Sequence, residues 1–556
     1  MTVSRKAAAV VVFSAAALSL SACAKSDRGS GTSGSGGAGG NSDATLTFAA
    51  AGAPSTFDPF YASDGETFRI TRQLFEGLVS FKPGTADLAP GLATSWNSSK
   101  DGKTWTFKLR TGVKFSDGTP FNAAAVCKNF ERMDNQNDAG QSAAEYWATN
   151  MIGFKKSKDD LFQGCTAKGD AEVELKLLRA TSKFPALLGL SSFSMQSPTA
   201  MDKYKANNIS AQGEGFAYSE YAKSRPTGTG PFTFSSYDVA NKTVTLVRND
   251  NYWGDKAKVK KLVFQIIPDA TQRKQALLAG QIDGYDLPAP VDWDSLKKAG
   301  MNLEVRPAFN ILYLGLNAKK NPALKDLKVR QALYYAINRE QLVKSQLPDG
   351  ASVATQFYPK TVDGYSDGVT KYNYDPNKAK DLLKQAGQSN LTIDFWYPSE
   401  VSRPYMPDPQ AIFQAIKGDW EKVGVKVKPV TKPWAGGYIT GTQGGAAPAY
   451  LMGWTGDYNT PDNFLGSFFG STKGQMDTGA YPWGTTLASD LAKDDSIVDP
   501  TQRTAAYKKL NEQIMSQWLP GLPISSSPPA VVFGKGVSGV VASPLTAEDF
   551  STAVKK

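Results

Sequence analysis

Short apolar and alternating runs along this 556-residue chain predict its strands and helices. Leu391 to Tyr397 alternates apolar and polar residues and is rich in β-formers, as in a half-buried strand. Ile412 to Val423 places apolar residues at helical spacing, and Gly424 ends that helix. Ala449 to Met452 is an unbroken apolar run, which is typical of a buried strand. The order helix, strand, helix, strand from 376 to 453 therefore predicts an α/β lobe.

The same patterns continue on both sides of this lobe. Turn pairs such as Asp101-Gly102 and Asp117-Gly118 separate the elements. Asp375 is the expected N-cap of a helix with Pro376 in its first turn. Strands are predicted at 44–50, 105–109, 243–247, 262–267 and 282–287, and helices at 68–78, 270–279, 329–337, 376–386 and 501–518.

Two opposite charges follow predicted strands directly. Asp457 lies just beyond the buried run that ends at Met452, and Arg403 lies just beyond Tyr397. In α/β sheets, ligands bind beyond the carboxyl ends of the strands. A carboxylate and a guanidinium group at one sheet edge could bind both ends of a zwitterion. The alternative for Asp457 is a turn residue, or the cap of a helix that begins near Pro461.

Composition narrows the function classes. The chain is long enough for two or three domains, and its 41% hydrophobic and 21% charged residues are typical of globular proteins. The net charge of +10 comes from scattered Lys and Arg, which argues against a nucleic-acid surface. There is no histidine, which excludes His-based catalytic triads, His-containing zinc sites and His-ligated haem. We expect no catalytic residues, no metal site and no cofactor.

The first residues predict export to the cell surface. Arg5 and Lys6 precede the apolar stretch from Ala7 to Leu20, which is too short to span a bilayer. Residues 20–23, Leu-Ser-Ala-Cys, resemble a bacterial lipobox, so residues 1–22 would be a lipoprotein signal peptide and Cys23 the lipidated residue. The alternative is an ordinary cleaved signal with Cys23 incidental. The Gly/Ser-rich stretch 23–44 would be a flexible tether of roughly 25 Å.

Two further cysteines, Cys127 and Cys165, belong to the exported part of the chain. An isolated pair in an exported protein indicates a disulfide. The alternative is two separate buried thiols.

Three motifs resemble one known family: residues 101–126 (DGKTWTFKLRTGVKFSDGTPFNAAAV), 402–407 (SRPYMP) and 453–464 (GWTGDYNTPDNF). They are similar to the dipeptide-binding lipoproteins of ABC importers, in the peptide/nickel class (family 5) of solute-binding proteins. The resemblance extends over residues 45–550. It implies that Asp457 binds the α-amino group of a peptide and Arg403 its carboxylate. Trp454 and Tyr405 flank those charges and would line the cleft, or would simply pack the lobe.

The resemblance also implies the architecture. The expected fold is the α/β, two-lobed periplasmic-binding-protein-like fold (class II, cluster C), with an extra subdomain in the first lobe. We expect the first lobe at 45–305 with its subdomain at about 80–190, the second lobe at 306–525, and a return to the first lobe at 526–556. The extended stretches 303–317 and 519–533 would be the two hinge crossings.

The function expected from this resemblance is capture of di- or short peptides and delivery to ABC permease subunits in the membrane. The protein would be a monomer anchored through Cys23 on the extracytoplasmic face. Alternatives in the same family are receptors for oligopeptides, glutathione, haem or nickel, and the absence of histidine weakens the last two. A signalling peptide receptor is a further alternative. A secreted α/β hydrolase would need a nucleophile with a base, and a Ser–His pair is impossible here.

Overall fold

The structure is a computed structural model that describes residues 43–155, 157–213, 215–473 and 476–556. The predicted signal peptide, Cys23 and residues 24–42 of the predicted tether lie outside the described residues. Within the described ranges, no helix has both the length and the apolar character that a membrane span needs.

Strands are distributed along the whole described chain. They are β1 (Thr45–Ala50), β2 (Val79–Phe81), β3 (Leu88–Pro90), β4 (Ala93–Ser98), β5 (Thr104–Leu109), β6 (Phe162–Ala167), β7 (Glu172–Leu177), β8 (Ser210–Gln212), β9 (Gly215–Ala217), β10 (Phe232–Asp238), β11 (Thr243–Arg248), β12 (Lys261–Ile266), β13 (Gly284–Asp286), β14 (Asn302–Val305), β15 (Asn310–Leu316), β16 (Ser352–Val353), β17 (Thr392–Ser399), β18 (Lys426–Pro433), β19 (Ala449–Thr455), β20 (Gly521–Ser526), β21 (Ala530–Phe533), β22 (Val537–Ser538) and β23 (Val554–Lys555).

Helices alternate with these strands. They are α1 (Gly65–Leu74), α2 (Ala123–Asp134), α3 (Asp138–Ala143), α4 (Glu145–Met151), α5 (Phe184–Leu187), α6 (Pro198–Lys203), α7 (Glu220–Ser224), α8 (Ala270–Leu278), α9 (Trp293–Lys298), α10 (Leu327–Tyr335), α11 (Arg339–Gln346), α12 (Pro376–Gln385), α13 (Pro409–Lys422), α14 (Ile439–Gln443), α15 (Ser467–Phe469), α16 (Gly484–Asp495) and α17 (Pro500–Gln513).

The first lobe is built on a sheet of seven described strands in the order β10-β11-β12-β1-β13-β21-β14. The N-terminal strand β1 pairs in parallel with both β12 and β13. The C-terminal strand β21 is antiparallel to both of its neighbours, β13 and β14. This lobe therefore combines segments from both ends of the chain.

The second lobe is built on a sheet of six described strands in the order β16-β20-β15-β19-β17-β18. All residues of β15 are buried, as its apolar sequence NILYLGL requires. Gly315 is necessary in this strand because a Cβ there would lie 2.1 Å from the ring of Tyr450. Helix α13 packs on the sheet, and the indole of Trp420 donates a hydrogen bond of 2.9 Å to the carbonyl of Leu333.

A subdomain within the first lobe has its own four-stranded sheet, in the order β4-β5-β7-β6. Its core contains Phe107, Phe130 and Trp147, all of them buried. A disulfide joins Cys127 on α2 to Cys165 on β6. The predicted pairing of these cysteines is therefore present, and it links the helix of the subdomain to an edge strand of its sheet.

Helix α1 is shorter than the sequence pattern predicts. The sequence pattern predicts a helix over 68–78. The helix begins earlier, where Asp64 accepts a hydrogen bond from Thr67 N, and it ends at Leu74. The next residues are extended because Glu76 bridges to Met195. The Glu76 carboxylate also accepts hydrogen bonds from Thr229, Tyr252 and Trp253, which are far away in the sequence. These long-range contacts override the local helical pattern.

Two extended segments connect the lobes, as expected from the sequence. Strand β14 of the first sheet leads into β15 of the second, and β20 of the second leads into β21 of the first. The segments are hydrogen-bonded to each other between the sheets. Asn310 Nδ2 donates to the Ser527 carbonyl at 2.7 Å, and Arg306 N donates to the Pro529 carbonyl at 2.8 Å.

A buried charge network lies beside these crossings. The guanidinium of Arg306, which is fully buried, contacts Asp286 at 2.7 Å and Glu548 at 2.6 Å. Arg69 of α1 also binds Asp286. Burial opposes ionisation of Asp286, but the two guanidinium groups outweigh it and lower its pKa. The network therefore holds Asp286 ionised in the interior of the first lobe.

Replacing Arg306 by alanine should destabilise the protein strongly. Arg306→Ala leaves the Glu548 carboxylate buried without its cation, a loss of about 3–5 kcal/mol. Urea unfolding followed by tryptophan fluorescence measures the change. The matched control is Arg225→Ala, because Arg225 and Glu220 form an exposed pair whose loss should cost at most about 1 kcal/mol. Equal midpoints for the two variants would contradict a stabilising role for the network.

Candidate functional site

Asp457 is held in a tightly fixed loop directly after β19. The amide of Gly456 donates to the Phe309 carbonyl at 2.8 Å. A Cβ at Gly456 would lie 2.2 Å from the Phe309 ring, so only glycine allows this approach. The Asp457 amide donates to Asn463 Oδ1 at 2.8 Å. The backbone on both sides of the carboxylate is thus anchored, and its side chain extends into the space between the lobes.

The Asp457 carboxylate is bonded across the lobes. The hydroxyl of Tyr146, on α4 of the subdomain, lies 3.3 and 3.4 Å from its two oxygens and donates to them. Asp457 itself is half-buried. No ion pair within 4.0 Å neutralises it among the described residues. A half-buried carboxylate that has neutral hydrogen-bond donors and lacks an ion pair is an incomplete site in this setting.

Burial raises the pKa of Asp457 to about 6. The charge of Arg72 and the hydrogen bonds from Tyr146 and Asn463 lower this pKa, while the charge of Glu145 raises it. Desolvation therefore outweighs the groups that favour the charged form. A bound cation would favour the ionised carboxylate and bring the pKa down again, so the site is suited to a positively charged group.

Asp457 and Trp454 line one cavity of about 570 Å³ between the lobes. The indole of Trp454 donates to Asn463 Oδ1 at 3.3 Å, and its ring meets Phe468 edge-on. On the subdomain side the cavity is lined by α4 and by the segment that carries Lys183. Its size is within the range of small-ligand sites.

Arg403 lies in a different place at the boundary of the lobes. It forms a short bridge with Met406, and its guanidinium stacks on the ring of Trp434 at 4.2 Å. It lines a small hollow of about 20 Å³ together with Pro288 of the first lobe and Ser527 of the second crossing. Its Nε is buried and has no hydrogen-bond partner among the described residues. The guanidinium thus retains unused donor capacity.

Tyr405 is buried and packs its ring over Gly453, where a Cβ would lie 2.3 Å from it. Burial raises the pKa of Tyr405 to about 12, against the lowering effect of the Arg403 charge. The contacts of Tyr405 are therefore those of a packing residue beside the site. Neither Arg403 nor Tyr405 lines the cavity of Asp457, so the joint binding of one ligand by Asp457 and Arg403 stays a prediction.

Sequence reasoning did not find Tyr146, Glu145 or Arg72. Tyr146 is 311 positions from Asp457, and the segment around it shows only a short helical pattern. Arg72 sits within the pattern of α1. No local spacing marks these residues, because only the packing of the first lobe and its subdomain against the second lobe brings them near Asp457.

No metal centre accompanies this cavity in the described ranges, where no three or more His, Cys, Asp or Glu side chains cluster as metal ligands do. The polar groups of the site are carboxylates, amides, hydroxyls and basic side chains.

Two lobes joined by two crossings, with a lined cavity between them, define a solute-binding protein of the periplasmic type. The profile of the bacterial extracellular solute-binding proteins, family 5 (middle), matches residues 87–476. The chain belongs to this family.

Individual relatives extend the match over nearly the whole chain. The chain is 33% identical over 517 residues to the dipeptide-binding protein of Escherichia coli K12, covering 91% of this chain and 94% of the relative. It is 32% identical over 517 residues to haem-binding protein A of Haemophilus influenzae, covering 91% of each chain. Among solved structures, a dipeptide-binding protein of Pseudoalteromonas sp. SM9913 in complex with Met-Leu aligns with a TM-score of 0.78 at 28% identity, over 92% of this chain and all of the other. The two-lobed α/β fold is thereby confirmed.

Asp457→Asn should stabilise the ligand-free protein at neutral pH. The folded pKa of about 6 lies above the ordinary 3.8, so ionisation weakens the folded state as the pH rises through this window. The gain should approach about 3 kcal/mol at pH 7 and vanish below pH 4, since one pKa unit is worth about 1.4 kcal/mol. Unfolding midpoints of both proteins from pH 4 to pH 7.5 measure it. A variant that is less stable at pH 7 would contradict the desolvated state of this carboxylate.

Proposed function

We propose that this protein is the extracytoplasmic receptor of an ABC importer, which captures short peptides between its lobes and delivers them to the permease. The observation that carries the proposal is the Asp457 carboxylate. It is held between the lobes by Tyr146, lies without an ion pair among the described residues, and has a raised pKa. A peptide's α-ammonium group supplies the missing cation and replaces neutral hydrogen bonding by a charge-assisted contact.

The second half of the proposal concerns the peptide carboxylate, which Arg403 would bind. Its guanidinium is oriented by stacking on Trp434, and its Nε has no hydrogen-bond partner in the part of the chain that the structure describes. A planar guanidinium matches a carboxylate with two parallel hydrogen bonds. Closure of the lobes about the two crossings would bring this group and Asp457 to opposite ends of one peptide.

The relatives favour peptides over the other ligands of the family. The relative from Escherichia coli is named for dipeptides, and the Pseudoalteromonas structure holds Met-Leu. The Haemophilus relative is named for haem, but this chain has no histidine with which to ligate haem iron. We therefore place glutathione and haem behind short peptides. We also propose that the protein binds without catalysis, since the family to which it belongs consists of solute-binding proteins.

Peptide length should decide affinity, because two fixed charges set the distance between the ends of the ligand. Each added residue moves the carboxylate by about 3.3–3.6 Å, more than a hydrogen bond can stretch. Calorimetric titration should therefore rank Ala-Ala above Ala-Ala-Ala and far above Ala-Ala-amide. Arg403→Ala should cost Ala-Ala roughly 2–5 kcal/mol and longer peptides much less.

The matched control for this experiment is Arg225→Ala, which removes an exposed guanidinium far from the cavity and should leave all three affinities unchanged. Equal affinities of the wild-type protein for all three peptides would remove Arg403 from the site and favour a general oligopeptide receptor.

Attachment to the membrane should depend on Cys23. We infer a lipid anchor from the lipobox-like residues 20–23. Replacing the thiol that carries the lipid, as in Cys23→Ala, should therefore release the protein into the medium. Fractionation of expressing cells followed by immunoblotting measures the distribution. If Cys23→Ala stays with the membrane fraction like the wild type, the anchor is something else.

A further inference from the structure

Most charged side chains of the Asp457 cavity already have partners. Lys183 Nζ lies 2.8 Å from Asp462 Oδ2, and both side chains are nearly buried. Arg179 lies 3.7 Å from Asp495, which also accepts hydrogen bonds from Thr181 and Ser182. These pairs connect the subdomain to the second lobe and neutralise one another. They leave little free charge on this side of the cavity.

Glu145 is the exception. It lines the same cavity, its side chain is exposed there, and it forms no ion pair with any described residue. Desolvation raises the pKa of its carboxyl, against the lowering effect of Ser63. Its neighbour Tyr146 donates to Asp457, and the charge of Glu145 raises the pKa of Asp457. The cavity thus presents two carboxylates that form no ion pair with a described residue. The charge of Arg72 lowers the pKa of Asp457, whereas no cation in the described ranges lowers the pKa of Glu145. The exposed Lys473 also lines the cavity.

A single ammonium group can neutralise only one of them. Once a peptide's α-ammonium is bound to Asp457, Glu145 remains as a desolvated negative charge in the closed cavity. An unpaired charge in such a place is unfavourable, and a second cation nearby relieves the cost. The ligand that satisfies both groups carries two positive charges close together at its amino end.

We propose that Glu145 is a specificity-determining residue that binds a cationic side chain on the first residue of the peptide. The receptor would then prefer peptides that begin with Lys or Arg. This inference rests on the proposed peptide-binding function and specifies the class of peptide.

The chemistry of the first residue supports this assignment. Its side chain is attached to the same carbon as the ammonium group, so it starts beside Asp457. The flexible four-carbon stem of lysine can then carry its charge across the cavity toward Glu145. In an extended peptide the second side chain leaves on the opposite face and cannot reach Glu145 in the same way. Glu145 should therefore respond to the side chain of the first peptide residue and not to that of the second.

The competing explanation is structural, since Glu145 is the first residue of α4 and an acid there favours the helix dipole. A structural role predicts no difference between a basic first side chain and a neutral one of the same length. The pair Lys-Ala and norleucine-Ala provides this comparison, because norleucine has the lysine stem without the amine.

Calorimetric titration at low salt should show Lys-Ala binding the wild-type protein roughly 3- to 10-fold more tightly than norleucine-Ala. The preference should disappear in Glu145→Gln and shrink in high salt. In the control variant Glu131→Gln, which loses an exposed acid of the subdomain surface outside this cavity, the preference should persist. The reversed peptides Ala-Lys and Ala-norleucine should show no dependence on Glu145.

The outcomes separate the two proposals. If no dipeptide binds the wild-type protein, the proposed function fails. If dipeptides bind, but Lys-Ala and norleucine-Ala bind equally, the role of Glu145 is overturned while peptide binding stands. A preference that survives Glu145→Gln overturns it as well, and a thermal unfolding curve of this variant establishes that it is folded.

Discussion

The buried guanidinium of Arg306 anchors both crossings between the lobes to the first lobe. The backbone amide of Arg306 donates to the carbonyl of Pro529 in the other crossing, and its side chain forms ion pairs with Asp286 and Glu548 in the first lobe. A charge without solvent must be surrounded by partners at fixed geometry, which makes its position difficult to change. The crossings are therefore anchored at the end that lies in the first lobe.

Burial acts on the pKa of both Asp286 and Asp457, but with opposite outcomes. Desolvation, taken alone, raises the pKa of each carboxyl group. At Asp286 two guanidinium groups reverse the effect, so the acid is satisfied and its function is structural. At Asp457 a tyrosine hydroxyl and a distant arginine do not reverse it. The Asp457 carboxylate thus keeps a raised pKa, which is why we propose that it binds the ammonium group of the ligand.

Local patterns predicted the elements of the second lobe well. Asp375 caps α12 by accepting a hydrogen bond from Lys378 N, and the strand predicted at 391–397 is β17 at Thr392–Ser399. These elements follow periodicity and capping, which are encoded within a few residues. The end of α1 and the partners of Asp457 depend on contacts between distant segments, and no window of sequence contains both sides of such a contact. The sequence pattern predicts that Asp457 follows a strand, but it does not predict that Tyr146 contacts Asp457.

The place of β21 in the first sheet has a consequence for how the chain folds. This strand, at residues 530–533, lies between β13 and β14, which precede it by more than two hundred residues. During synthesis and export, β13 and β14 emerge before β21. The backbone edges that will pair with β21 therefore stay unpaired until it follows. The second lobe has the same constraint, because its internal strand β20 comes directly before β21 in the chain. Both lobes should therefore be completed late, and these long-range pairings should be the slow step of folding.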